Sequence, residues 1–137
     1  MSEANVEIIK RGWEAFEKGG FEATYPFYSK DCVIADAPEI PDAVTRHGWE
    51  GLRAVLENFT EMWDQLTLRP VEFIDAGEDT VIAVYAMEAS GKESGTPVEA
   101  PVVLVYDLAG GVIVRQRIFL SREAGLEAAK DQGSRAE

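Results

Sequence analysis

Histidine and cysteine are almost absent from this chain, and their scarcity excludes several kinds of chemistry. The 137 residues include one histidine, His47, and one cysteine, Cys32. An internal disulfide cannot form, and zinc-finger, multi-histidine metal and Ser-His-Asp sites all lack parts. Residues 32–35 form an apolar run, which is typical of a buried and inert thiol. We therefore expect no metal ion and no other cofactor.

Basic residues are also few, which limits the partners of the protein. The chain has 13 lysine and arginine residues against 25 aspartate and glutamate residues, a formal charge of -12 at pH 7. This charge repels nucleic-acid phosphates and anionic lipids, so neither nucleic acid nor a membrane is an expected partner. Residues 1–5 lack the pattern of a secretory signal, and no run reaches the ~18 apolar residues of a membrane span. These absences predict a cytoplasmic location.

Apolar residues recur at the helical period in two long segments and one short one. The predicted helices cover residues 5–18, 21–29 and 49–65. Asn5 is a suitable N-cap for the first helix, and Pro26 is expected to bend the second. The third is clearly amphipathic, so it should face the core.

The pattern of four later segments is strand-like rather than helical. They cover residues 66–74, 80–88, 98–107 and 112–121, and a short strand at residues 33–35 precedes the third helix. The glycine-rich breaks between the four predict an antiparallel meander.

Two of these strands predict a sheet that is covered on both faces. Residues 81–84 and 102–105 are apolar at every position, whereas a sheet with one wet face alternates apolar and polar residues. The three helices can cover one face. A second copy of the chain is the simplest cover for the other, which predicts a homodimer through the sheet face. Residues 1–130 would form one domain, with a last helical turn or two at 123–130 and a frayed tail at 131–137.

Several short motifs follow one another in an order that belongs to a known fold. They are Arg11, Gly19, the segment 31–36, Gly48, Ala100-Pro101, the segment 111–114 and Arg122-Glu123-Ala124. Together they resemble the nuclear transport factor 2-like superfamily, especially its SnoaL-like and ketosteroid isomerase-like branches. The resemblance reaches Lys130. It implies an α+β fold in which a curved antiparallel sheet wraps around the helices as a cone-shaped, cystatin-like α+β barrel with an apolar cavity.

The resemblance also implies one catalytic candidate. Ketosteroid isomerases place a carboxylate base at the end of the first strand, and Asp36 stands there. A carboxylate facing an apolar cavity can act as a general base. The tyrosine and the carboxylic acid that polarise the substrate carbonyl in that family align with Gly12 and Val103, so both donors are missing. Steroid isomerisation is therefore not expected. The structural alternative for Asp36 is a turn cap.

Aromatic and strand residues supply the remaining expected ligand-pocket residues. From the helices and the strand start these are Trp13, Phe16, Tyr28, Phe59 and Trp63, and from the later strands Glu99, Val103, Gln116 and Ile118. His47 could gate the cavity or assist Asp36, with a solvated loop histidine as the alternative. Arg115 and Arg117 share one strand face and could bind a ligand carboxylate, or form salt bridges at a dimer face.

Two functions remain open from the sequence. One is an acid–base enzyme of the isomerase or cyclase type that acts on an apolar, ring-containing substrate through Asp36. The other is a non-catalytic module that uses the cavity to hold a small apolar ligand, or the dimer for interaction. Retention of Asp36 favours the first, and loss of the carbonyl donors favours the second.

Overall fold

Six strands form one sheet, and four helices pack against it. The computed structural model describes residues 2–36, 43–77, 79–91, 95 and 97–135, and their side chains except for residues 2–3, 21, 56, 58–66, 91 and 131–135. The helices are α1 (Ser2–Gly19), α2 (Phe21–Thr24), α3 (Gly48–Met62) and α4 (Arg122–Arg135), with a 3-10 turn at Tyr25–Phe27. The strands are β1 (Tyr28–Ala35), β2 (Thr45–His47), β3 (Trp63–Asp75), β4 (Thr80–Gly91), β5 (Pro97–Ala109) and β6 (Val112–Phe119). None of the helices described here is long and apolar enough to cross a membrane.

The predicted α+β class with a curved sheet is confirmed, and the sheet stays open rather than closing into a barrel. The strand order is β2-β1-β6-β5-β4-β3. The meander from β3 to β6 is antiparallel as expected, but β1 pairs with β6 in parallel, so the sheet is mixed. The sequence did not predict β2, which pairs with the end of β1. The proline-rich segment 38–42 between them lies outside the described residues.

Glycine is required at two chain reversals. Gly110 and Gly111 both have positive φ, at 60° and 85°, and this allows the tight turn that joins β5 to β6. Gly48 has a φ of 73° where β2 enters α3, and a Cβ there would lie 3.0 Å from the carbonyl oxygen of Lys30. These positions set where β6 and α3 begin, and both elements contribute to the cavity described below.

Both faces of β4 and β5 are buried, as predicted, but the second cover comes from the same chain. Residues of α1 and α3, including Ile9, Leu52 and Val55, pack on the inner face of the sheet. Helix α4 lies on the outer face, where Leu126 and Ala129 contact a cluster centred on Ile82, Val84, Val103 and Val105. The sequence predicted only a turn or two there, followed by a tail from residue 131. The helix reaches Arg135. Because it covers part of the outer face, a second copy of the chain is not needed to bury that part.

A buried ion cluster fixes α4 to the outer face. The Asp107 carboxylate accepts hydrogen bonds from Arg115 Nε at 2.9 Å and Thr80 Oγ1 at 3.0 Å, and Arg117 Nη2 lies 3.6 Å from it. Arg117 Nη1 also donates to the carbonyl oxygen of Ala128 in α4. The two arginines proposed as ligand or dimer contacts therefore form salt bridges within the chain.

We expect Asp107→Asn to destabilise the fold strongly. The substitution removes the buried carboxylate that both partly buried guanidinium groups contact, and breaking a buried pair on one side costs about 3 to 5 kcal/mol in the free energy of unfolding. Glu72→Gln is the matched control, because Glu72 pairs with Arg122 at the surface, where ion pairs contribute little. Urea unfolding of the two variants gives the comparison, and equal losses of stability would contradict this role for Asp107.

Candidate ligand cavity

An apolar cavity lies between the inner face of the sheet and the helices. Its volume is about 110 Å³. Helix α1, the α2–β1 junction, α3 and strands β3 to β6 all contribute side chains. The described lining residues are Ile9, Gly12, Trp13, Phe16, Thr24, Phe27, Tyr28, Leu52, Val55, Leu68, Tyr85, Val102, Leu104, Tyr106, Ile113, Gln116 and Ile118. None of these side chains carries a formal charge at neutral pH.

Three phenols and one amide lie close together in this apolar wall. The Tyr28 hydroxyl donates to Gln116 Oε1. The hydroxyls of Tyr85 and Tyr106 lie 3.4 Å apart, and either of them can be the donor. The two hydrogen-bonded pairs therefore give the cavity a small group of neutral polar side chains.

The three phenols of the cavity are held in the neutral form. Burial raises the pKa of Tyr28 and Tyr106 above the ordinary phenol value, and it raises the pKa of Tyr85 to about 12. Burial also raises the pKa of the Cys32 thiol, which agrees with an inert cysteine. The cavity consequently offers neutral hydrogen-bonding groups, and its phenols are not bases at physiological pH.

Asp36, the predicted base, is engaged at the β1–β2 connection and is not among the lining residues. One carboxylate oxygen accepts the Val44 backbone N–H at 3.1 Å, and the Arg46 guanidinium lies 3.4 Å from the same oxygen. The Asp36 side chain is 17% exposed. Its contacts match the structural alternative, in which the aspartate ties the two ends of the connection together.

The structure brings together half of the predicted pocket residues. Trp13, Phe16, Tyr28, Gln116 and Ile118 line the cavity. His47 is exposed on β2, and Glu99 is exposed on the outer face of β5. The side chains of Phe59 and Trp63 lie outside the described residues, so their place in the pocket stays a prediction. Among the residues described, no group of His, Cys, Asp and Glu side chains forms a metal-binding arrangement.

The expected inward orientation of Val103 is wrong. Alternation along β5 does put Glu99, Pro101 and Val103 on one face, but that face is the outer one, where Val103 packs under α4. A Cβ on Gly125 of α4 would lie 2.6 Å from Val103 Cγ1, which shows how closely the helix approaches. The inward residues of β5 include Val102 and Tyr106.

Sequence reasoning missed Tyr85 and Tyr106. Both faces of their strands are apolar, so composition alone does not identify the inner face. The exposed Glu88 and Glu99 carry the missing signal, because an exposed glutamate marks the outer face. Counting back from Glu88 in steps of two leaves Tyr85 on the inner face, and the same count from Glu99 leaves Tyr106 there.

Tryptophan contacts hold the rings around the cavity. Trp13 packs against Tyr85 with centroids 5.0 Å apart and against Phe16 at 5.4 Å. Its buried indole N–H has no hydrogen-bond partner among the described residues. Trp49 stacks on Tyr25 and donates its indole N–H to the backbone oxygen of Tyr28 at 3.1 Å, which fixes the start of β1.

The sequence profile of the SnoaL-like domain matches residues 9–116. The chain therefore belongs to the SnoaL-like family of the nuclear transport factor 2-like superfamily, and its fold and apolar cavity are those expected of a domain for small-molecule binding or cyclase-type chemistry. No curated protein sequence matches the chain.

Solved structures with the same fold agree with this assignment. An NTF2-like protein from Burkholderia thailandensis superposes with a TM-score of 0.75 at 23% identity, covering 91% of this chain and 95% of the other. One from Burkholderia pseudomallei gives 0.75 at 15% identity, covering 90% and 95%. TerC, crystallised with polyporic acid, gives 0.75 at 19% identity, covering 93% and 98%. At these identities the likeness establishes the fold alone.

We expect the buried phenols to make the protein sensitive to alkali. Folding raises the pKa of Tyr85 to about 12, whereas an unfolded tyrosine titrates near ~10. Both states hold the proton below the unfolded pKa, so this stabilisation is complete there. It is lost as pH rises towards the folded pKa, because the unfolded state releases its proton first. Urea unfolding across this range measures the fall.

Tyr85→Phe separates this effect from general charge repulsion. The variant lacks the titrating group, so its free energy of unfolding should decline less steeply over the same pH range. Identical pH slopes for the variant and the unmodified protein would show that Tyr85 does not carry the effect.

Proposed function

We propose that this domain binds a small, uncharged organic molecule in the cavity without chemically transforming it. The observation that carries the proposal is the absence of charge from the described lining, where the polar groups are neutral phenols, Thr24 and the Gln116 amide. Acid–base catalysis needs a group that can exchange a proton near neutral pH within reach of the substrate. An apolar wall with a few convergent polar groups is typical of a ligand-binding site.

Family membership supports the same reading. SnoaL-like domains share the fold on which small-molecule binding and cyclase chemistry are found. TerC, a protein of this fold, was crystallised with polyporic acid, which supports the binding of an organic compound here. The aromatic side chains of Trp13, Phe16, Phe27 and the tyrosines offer comparable flat surfaces here.

Filling the cavity tests this proposal. Gly12 lines the cavity, and a Cβ there would be in ordinary van der Waals contact with the Phe27 ring at 3.5 Å. We expect Gly12→Leu to fold and to place its side chain where a ligand would lie. Toluene should raise the melting temperature of the unmodified protein, as any ligand that binds the folded state does. It should raise that of Gly12→Leu much less.

Glu14→Leu is the matched control, because Glu14 is exposed on the same helix. This variant should respond to toluene as the unmodified protein does. The proposal fails if toluene stabilises none of the proteins, or stabilises Gly12→Leu as much as the control. Mass spectrometry of small molecules released from the purified protein would give the same contrast with a natural ligand.

A second candidate is an isomerase- or cyclase-type acid–base enzyme that uses Asp36. The observation in its favour is that Asp36 directly follows β1, the strand that carries Tyr28 into the cavity, and that its side chain is largely buried. Under this candidate, Asp36→Asn lowers turnover by about 10²- to 10⁴-fold and leaves binding intact. Under the binding proposal the same variant loses the Val44 and Arg46 contacts, and only its stability falls.

We also propose that the uncovered part of the outer sheet face binds a second copy of the chain. A groove beside α4 has an apolar floor that includes Val71, Val84 and Pro101. Arg69 lies among its lining residues together with Glu88 and Glu99. Groups of both signs on one patch suit an isologous contact, in which a two-fold axis sets the arginine of one copy against the glutamates of the other.

Val71→Asp tests the dimer. Val71 is 57% exposed in the single chain, so the substitution should not disturb the core. We expect the unmodified protein to sediment as a dimer at micromolar concentration and Val71→Asp as a monomer with an unchanged circular dichroism spectrum. A monomeric unmodified protein would refute the interface.

A further inference from the structure

Some polar groups of the cavity have hydrogen-bond partners and others do not, and this difference restricts which functional group a ligand can place beside them. The Tyr28 hydroxyl donates to the carbonyl oxygen of Gln116, and this is the hydrogen bond that the described residues give the Gln116 side chain. Among those residues its two amide N–H groups have no acceptor, and Gln116 lines the cavity.

A donor that lines an apolar cavity gains when the ligand supplies an acceptor, so such a ligand is favoured over one that does not. Trp13 adds a second donor of this kind to the lining, because its buried indole N–H also lacks an acceptor among the described residues. The complementary ligand group is an oxygen with free lone pairs and no need to donate. A carbonyl oxygen fits this description.

The absence of charge from the described lining and the size of the cavity restrict the class of ligand further. No charged side chain is present in the described lining, and the chain carries a formal charge of -12, so an anionic ligand would be desolvated and repelled without compensation. The cavity volume is about 110 Å³. An apolar cavity of about 150 Å³ holds benzene. The cavity here is smaller, so it admits no more than one six-membered ring, and fused rings do not fit.

We propose that the ligand is a neutral, single-ring carbonyl compound whose oxygen accepts a hydrogen bond from the Gln116 amide. This inference rests on the proposed binding function and assigns its specificity to Gln116. Tyr28 acts on the ligand through Gln116, because its hydrogen bond holds the amide carbonyl and so turns the NH2 group away from Tyr28.

Four probes of related shape test the inference on the unmodified protein. Acetophenone is the single-ring ketone, and α-methylstyrene replaces its carbonyl oxygen with a CH2 group of similar shape. Benzoate adds a negative charge, and acetylnaphthalene adds a fused ring. Titration calorimetry, or ligand-observed NMR for weak binding, should rank acetophenone first, with α-methylstyrene about tenfold weaker for the loss of one hydrogen bond. Benzoate and acetylnaphthalene should show no saturable binding.

Gln116→Leu and Gln116→Met remove the amide and keep a side chain of similar size. Each is combined with Tyr28→Phe, because the Tyr28 hydroxyl would otherwise lose its acceptor and donate to the ligand carbonyl instead. Either double variant that folds should bind acetophenone and α-methylstyrene about equally, and Tyr28→Phe alone is the control. A preference for acetophenone as large in the double variants as in the control would remove Gln116 from the recognition of the ligand.

The failures of the two proposals are distinguishable. If none of the four probes binds, the binding function itself fails. If acetophenone and α-methylstyrene bind equally to the unmodified protein, or if benzoate or acetylnaphthalene binds more tightly than acetophenone, the cavity is a binding site but the inferred ligand class is wrong.

Discussion

The need to bury both faces of β4 and β5 determines most of this structure. Their apolar residues point alternately to the two faces, so each face must be removed from water. Helices α1 and α3 cover the inner face and α4 covers part of the outer one. The cavity is the region of the inner face that the helices do not fill, and the groove beside α4 is the corresponding gap outside. Both candidate interaction sites thus arise from incomplete cover of the same two strands.

The register of β5 against β6 sorts polar residues between the two faces by charge. Tyr106 lies opposite Gln116, and both face the cavity, whereas the next pair along the chain, Asp107 opposite Arg115, faces outward under α4. Neutral hydrogen-bonding groups therefore collect inside and ionised groups outside. A slip of one residue would place an ion pair in the cavity and phenols beneath α4, so these polar pairs disfavour the shifted register.

The sequence was sufficient for the fold and insufficient for the site. Periodicity located α1, α3 and the four meander strands, and the motif order identified the superfamily, because these signals are local. The inner and outer faces of β5 were exchanged, since an apolar strand with two buried faces has no amphipathic direction, and Val103 was assigned to the cavity in place of its neighbours. The contacts of Asp36 with Arg46 and the pairing of Tyr28 with Gln116 join residues 10 and 88 positions apart. No local pattern encodes such pairs.

The buried pairs Tyr28–Gln116 and Tyr85–Tyr106 have a consequence for how this protein tolerates change. The members of each pair satisfy one another's hydrogen bonds within an apolar wall, so each pair behaves as one thermodynamic unit rather than as two independent contacts. Removing the Tyr28 hydroxyl, for example, leaves the Gln116 carbonyl without its donor. Substitutions at these positions are therefore epistatic: a residue that is acceptable at one of them depends on what occupies its partner, and drift along this strip of the sheet proceeds by coordinated replacement.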